Sequence, residues 1–269
     1  MAFLAAERGR GLSVNAIDLR RAAIRYLHFI AGCAVSTAEA HITETMAGIR
    51  RQAADRGDIP AKKLAATAGI LRDILAPIPD DLPGLHDRAL LLVGFAGALR
   101  RAELAAIQVE HLETRDRGLR LTLPRSKGAR AGRAVTVAIP YGTTALCPVR
   151  ALRRWQEAAG ITGGALFRRI YTPLARPGGT PLPCPVIATE SLDSGTIARI
   201  VKKRAAAAGF DAHEFGGHSL KRGAMTTGMD SGVHPTRLKQ LGRHKSYAVL
   251  DEYLQQGDPF EAHPLNGVL

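Results

Sequence analysis

The sequence predicts a mainly α-helical fold with a small antiparallel β-sheet (α+β), preceded by a partial helical domain. Two observations predict this class. Apolar residues recur at helical spacing through most of the 269 residues, whereas Leu119, Leu121, Leu123 and later Val135, Val137, Ile139 alternate with polar or small neighbours, as strands do. A third observation sets the size, because at roughly 150 residues per domain the chain holds one large domain, or an ordinary one plus a small one.

The elements follow in order. Asn15 can cap a first helix, in which Ile17, Ile24, Leu27 and Ala31 step at helical period. Further helices are expected over about 37 to 55 and 61 to 75. Three helices in so short a stretch can form a small bundle with a thin core. The run Ala76-Pro77-Ile78-Pro79-Asp80-Asp81-Leu82-Pro83-Gly84 reads as a stiff linker, so the domains are expected at 1–76 and 85–256, joined by 77–84 and followed by a tail over 257–269. After the linker come an apolar helix over Asp87 to Phe95 and a second carrying Glu103, Leu104 and Ile107. The two strands then flank the basic, glycine-containing segment Pro124 to Arg133, a long hairpin whose tip presents Lys127. A helix starts at Pro148 and runs through Trp155 to Ala159, Tyr171 to Pro185 reads as a surface loop, and two or three more helices reach about Gln256.

Composition excludes several classes of function. With 46% hydrophobic and 23% charged residues the chain is globular, not disordered or fibrous. No apolar run approaches the ~18 to 20 residues of a membrane span, and the opening MAFLAAERGRGL has too short an apolar stretch for a signal peptide. Cys33, Cys147 and Cys184 are far apart and lack ligand spacing, which suits reduced, metal-free cysteines in a cytosolic protein. The net charge of +13 favours a polyanionic partner. Residues 199 to 245 alone hold ten Lys and Arg against three Asp and Glu, and no segment combines such charge with the bulky apolar anchors that a membrane surface requires. Nucleic acid is the better reading.

Four separated segments offer reactive or phosphate-friendly side chains: Arg100-Arg101, Lys127, the run His218-Ser219-Leu220-Lys221-Arg222-Gly223, and His244 with Tyr253. Taken singly, each would be an ordinary surface or packing residue. Together they resemble the tyrosine recombinase (phage integrase) family. GALRRAEL (97 to 104) resembles its first arginine box, HSLKRG (218 to 223) its His-x-x-Arg box, and LGRHKSYAVLDEYL (241 to 254) the closing box with a second histidine and the nucleophilic tyrosine. The intervals of 26 residues from His218 to His244 and nine from His244 to Tyr253 match the family pattern. The likeness covers about 80 to 255; the segment before it resembles only the end of the family's core-binding domain, whose opening helices are expected to be absent.

The resemblance implies a site-specific recombinase that cuts and rejoins double-stranded DNA through a 3′-phosphotyrosine. Such chemistry places cations and imidazole donors around a phosphodiester whose non-bridging oxygens gain charge in the transition state. Tyr253 would be the nucleophile and Arg100 the first phosphate-binding arginine. Lys127 would be the general acid at the departing 5′ oxygen, His218 would assist proton transfer at the tyrosine, and His244 would donate to a phosphate oxygen. No metal or other cofactor is implied, and no P-loop, HExxH or carboxylate cluster is present in the sequence. Arg101, Arg125, Arg130, Lys202, Lys203, Arg222, Arg243 and Lys245 are expected to contact DNA, as is Arg204. The likeness further implies a homo-tetramer on paired DNA sites, accessory DNA-bending or directionality proteins, no membrane, and a cytoplasmic, nucleoid-associated location.

Two positions depart from the pattern. The second family arginine falls on Lys221, with Arg222 one place later, which leaves three readings: a site that works with a point charge, Arg222 in place of the arginine, or weakened catalysis. Arg243 stands where the family often has glycine, adding a phosphate contact or crowding the turn. The rival functions are a catalytically weakened paralogue that acts as a DNA-binding regulator, and a topoisomerase of the tyrosine type.

Overall fold

The computed structural model describes residues 2–33, 37–58, 63–123, 134–173, 184–244 and 246–247. The chain divides into two compact units, 1–62 and 63–269.

The first unit contains α1 (Ala2–Gly9), α2 (Val14–Ile30) and α3 (Ala40–Asp55). Its core is as thin as expected, formed by Leu4, Ile17, Met46 and Ile49. Ion pairs supplement it: Glu7, buried, pairs with Arg20 and lies 3.1 Å from Arg10, and Asp18 meets Arg21 at 2.9 Å. The cap of α2 is Ser13 and not Asn15. Its hydroxyl accepts the Ala16 N–H at 3.3 Å, and the helix has already begun at Val14.

The second unit begins before the expected linker. Residues 63–67 are extended, α4 covers Ala68–Leu75, and Leu71, Ile74, Leu75 and Ile78 are buried in the larger core with α5 (Leu82–Ala96). The proline-rich stretch is therefore packed structure and a helix start. Asp81 caps α5 by accepting the Gly84 N–H at 2.8 Å, and Pro83 sits in the first turn, where its missing N–H costs nothing. The short α6 (Arg101–Ala105) follows a turn in which Ala98 adopts a left-handed conformation, φ 43°.

The strands form as the alternation predicts. β1 (Leu112–Arg115), β2 (Gly118–Leu123) and β3 (Val135–Pro140) make an antiparallel sheet in that order, with Leu119 opposite Ile139 and Leu121 opposite Val137. These four residues face the core while Arg120 faces water. The β2–β3 connection, with Arg125, Lys127 and Arg130, lies outside the described residues. α7 (Pro148–Ala159) buries Trp155, whose indole N–H donates to the Leu166 carbonyl at 2.9 Å. On either side of the suggested loop at Tyr171 to Pro185, most of which lies outside the described residues, β4 (Arg168–Tyr171) and β5 (Val186–Ser191) pair antiparallel. Both are short and half-exposed, so neither carries a core-facing alternation. α8 (Ser194–Ala207), α9 (Ser219–Asp230) and α10 (Pro235–Gly242) complete the described elements. None of the described helices is long and apolar enough to cross a membrane.

Two long-range ties fix the frame of this unit. Asp87 on α5 receives the Arg204 Nε–H from α8 at 2.7 Å and lies 2.8 Å from His86 Nδ1, and all three side chains are buried. Arg204, expected on DNA, is thus turned inward, because Asp87 is a closer and better desolvated partner than any surface phosphate. The extended segment 63–67 lies on the start of α9: the Ala66 N–H donates to the Ser219 carbonyl at 3.0 Å, and Gly223 faces the Ala66 carbonyl so closely that a Cβ there would overlap it.

Asp87→Ala leaves the buried Arg204 guanidinium without its counter-charge, and denaturant unfolding is expected to show a loss of about 3–5 kcal/mol. Gly223→Ala must push a main chain aside, so its melting midpoint is expected to fall by more than that of an exposed helical substitution such as Glu157→Ala; equal midpoints would show that the 63–67 segment is not held against α9.

Candidate active site

Four segments converge on one cavity of about 390 Å³ lined by Lys63, Arg100, His218, Lys221, Arg222 and His244. Every lining side chain is a cation or an imidazole, so the space is built for an anion. Four of the six sequence-predicted catalytic residues, Arg100, His218, Lys221 and His244, meet here. The other two, Lys127 and Tyr253, lie outside the described residues.

Local structure explains how each group reaches the cavity. His218 immediately precedes α9, and residues three and four places later, Lys221 and Arg222, share its face. Arg100 immediately precedes α6, where Glu103 reaches back to accept both the Arg100 backbone N–H at 2.9 Å and its guanidinium at 2.7 Å. His244 follows the end of α10. Its imidazole lies so close to Gly242 that a Cβ at that position would overlap the ring.

Glu103 is the hub beneath the site. Its buried carboxylate also accepts from Arg243 Nη2 at 2.7 Å. Burial raises its proton affinity, but the Arg100 N–H and the Arg243 and Arg100 guanidiniums outweigh this and hold it ionised, below the usual carboxylate range. Arg243 does not present its charge to DNA as expected. It spends its donors inward, on Glu103 and on the carbonyls of Gly97 (3.0 Å), Ala98 (2.8 Å) and Leu241 (2.9 Å). It adopts the left-handed conformation, φ 53°, that favours the glycine of the family pattern. The hydrogen bonds offset that strain and brace the Gly97-Ala98 turn from which Arg100 emerges.

Lys221 is 5% exposed, and its ammonium donates to the Gly242 carbonyl, tying α9 to the end of α10. Burial first, then Arg100 and Arg243, push its pKa down to about 7, with Glu103 opposing. Burial, followed by Lys221, Arg100 and Arg243, pushes His244 down to about 4. Burial and the charges of Arg101, Lys221 and Arg100 also lower His218. Near neutral pH both imidazoles are therefore uncharged and able to accept a proton or donate one N–H.

The expected DNA contacts distribute unevenly. Arg222 lines the cavity and Arg101 lies along Gly217 beside His218. Lys202 is half-buried and Lys203 exposed on α8, where Lys203 borders a separate cleft with Arg168 and Arg169. Arg125, Arg130 and Lys245 lie outside the described residues. Among the described residues no group of three or more His, Cys, Asp or Glu is placed to hold a metal ion. Sequence reasoning missed Lys63, Glu103 and the inward role of Arg243. The Lys62-Lys63 pair ahead of an apolar segment and the glutamate inside GALRRAEL are the signals that could have found the first two.

The pocket loses positive charge as Lys221 discharges, so affinity for sulfate, whose own charge is constant over the range, is expected to fall as pH rises from about 6 to 8 at constant ionic strength. Lys221→Arg, charged throughout, should flatten that profile. The stability term has the opposite sense: a folded pKa of about 7 against an ordinary 10.5 means the unfolded chain binds more protons between those values, so stability rises with pH there. Sulfate titrations and unfolding curves at several pH values check both, and a pH-independent affinity in the natural chain would refute the first.

Known proteins share the sequence pattern and fold of this chain. The family model described as "Phage integrase family" matches residues 70–258. The chain is 34% identical over 258 residues to an integrase/recombinase XerD homolog of Selenomonas ruminantium, covering 94% of this chain and 71% of that one. It is 32% identical to tyrosine recombinase XerC of Xanthomonas axonopodis pv. citri over 62% of this chain, and spans 52%, about half, of that relative. Among solved structures, the fold matches the Tn1549 transposon integrase in complex with circular intermediate DNA, with TM-score 0.60, 15% identity, and coverage of 94% of this chain and 79% of that one. It also matches the XerH site-specific recombinase bound to its difH substrate, with TM-score 0.54, 14% identity, and coverage of 77% and 55%. The mainly helical fold with small antiparallel sheets is thus that of these enzymes, and the chain belongs to the phage integrase family of tyrosine site-specific recombinases.

Proposed function

We propose that this chain cleaves and rejoins double-stranded DNA at specific sites through a covalent 3′-phosphotyrosine, with no metal ion taking part. The observation that carries the reading is the cavity shared by Arg100, His218, Lys221 and His244, in which every lining group can meet a phosphate. In the reaction the Tyr253 oxygen attacks phosphorus and forms the new P–O bond as the bond to the 5′ oxygen breaks. The phenol proton passes to neutral His218, and Lys127 delivers a proton to the departing 5′ oxygen. Arg100 and His244 donate to the non-bridging oxygens, supplying the positive field that the transition state needs. Attack by a DNA hydroxyl on the phosphotyrosine reverses these transfers and rejoins the strand.

On this reading residues 1–62 act as part of the DNA clamp, and the catalytic domain begins at 63, where α4 joins the larger core, and runs to about 256. The protein works as a tetramer on paired sites with accessory DNA-bending or directionality factors, in the cytoplasm on the nucleoid. Relatives of the same family are captured on DNA in solved structures, which supports the choice of partner. One observation favours a second reading, a DNA-binding regulator: the ammonium of Lys221, at the position of the family's second arginine, is engaged by the Gly242 carbonyl.

A nicked suicide duplex carrying the element's own end distinguishes the two. The natural chain is expected to leave a covalent protein–DNA adduct on denaturing gels, and Tyr253→Phe to abolish it while DNA binding persists. Binding by the natural chain without any adduct would favour the regulator.

A further inference from the structure

Lys221 and Arg222 both border the cavity, but at different depths. Lys221 is buried, with its ammonium on the Gly242 carbonyl beneath the pocket. Arg222 is half-buried at the wall, and its Nη1 donates to the Lys63 carbonyl at 2.7 Å. That carbonyl belongs to a fixed strand of chain. The Leu64 N–H donates to the Glu214 carbonyl at 2.6 Å, the Ala66 N–H to the Ser219 carbonyl at 3.0 Å, and the Lys63 ammonium to the His213 carbonyl at 2.5 Å. The Ala68 N–H extends the lashing to Thr227 Oγ1 at 2.9 Å. The segment 63–68 is therefore a strap across the loop that holds His218 and the first turns of α9.

A guanidinium can hold a carbonyl through one N–H and still direct its planar fork at two phosphate oxygens, which an ammonium cannot do bidentately. Resting on the function proposed above, we infer that Arg222, aimed by the Lys63 carbonyl, is the guanidinium that grips the non-bridging oxygens in place of Lys221. The Lys63 side chain adds a cation to the same wall, and Lys221 serves as a strut between α9 and the end of α10. The strap thus becomes part of the active site, because the charge that the His-x-x-Arg box carries at its fourth position is moved one residue along and then re-aimed by a backbone contact.

The test uses the full chain and inorganic phosphate at pH 8, where Lys221 is mostly discharged. Arg222→Ala is expected to weaken phosphate binding by about tenfold or more, the loss of a charge-assisted hydrogen bond, with the melting midpoint little changed. Arg222→Lys should recover only part of the affinity, and Lys63→Ala should cost about threefold. Lys221→Met should lower the melting midpoint, as removal of a strut does, and cost less affinity than Arg222→Ala. Arg222→Ala binding like the natural chain, or Lys221→Met losing more affinity, would overturn the assignment. The same variants are then compared on suicide duplexes whose scissile phosphate is either natural or a neutral methylphosphonate. The cleavage defect of Arg222→Ala should shrink on the neutral duplex, since there is less charge to grip, and an equal defect on both would count against a phosphate contact. Should phosphate binding follow Arg222 while the natural chain forms no adduct, the covalent mechanism fails and the binding assignment stands.

Discussion

The site depends on one buried carboxylate. Four basic side chains and two imidazoles surround a small cavity, and bringing the cations together without counter-charge would cost more than local helix structure could return. Glu103 neutralises part of that field from below, accepting from Arg100 on its own turn and from Arg243 across the fold. Arg243 in turn holds the carbonyls of Gly97 and Ala98, so the carboxylate that balances the charge also fixes the turn that aims Arg100. Electrostatic compensation and positioning are thus performed by the same pair, Glu103 and Arg243.

The protonation states follow from this arrangement. With Glu103 engaged by two arginines, little negative potential remains for Lys221, His218 and His244, and burial adds to the repulsion, so all three hold their protons less tightly than in water. A phosphate entering the cavity reverses the sign of the local potential. Imidazoles that are neutral in the empty pocket can then take up or pass on a proton at the moment the anion is present, which is when proton transfer is useful.

Much of this was legible in the chain itself. Alternation at Leu119 to Leu123 and Val135 to Ile139 located the central hairpin, and the boxes around Arg100, His218 and His244 located residues that the fold brings to one cavity. What stayed hidden has a common cause. The proline-rich stretch at 76–84 carries turn signals but is packed by Ile78 and capped at Asp81, and the half-exposed β4 and β5 lack an apolar rhythm. Arg204 and Arg243 look like surface cations until Asp87 and Glu103, 117 and 140 residues away, claim them.

The sequence by itself determined the class of fold, the family and the identity of most reactive groups, because local periodicity and the order of short motifs are properties of neighbouring residues. Only the tertiary structure decided which basic side chains turn inward, that Lys63 joins the site, and how Lys221 and Arg222 divide the space at the start of α9. Those outcomes depend on desolvation and on which distant carboxylate or carbonyl lies within hydrogen-bonding distance, and a linear pattern of charges does not encode that distance.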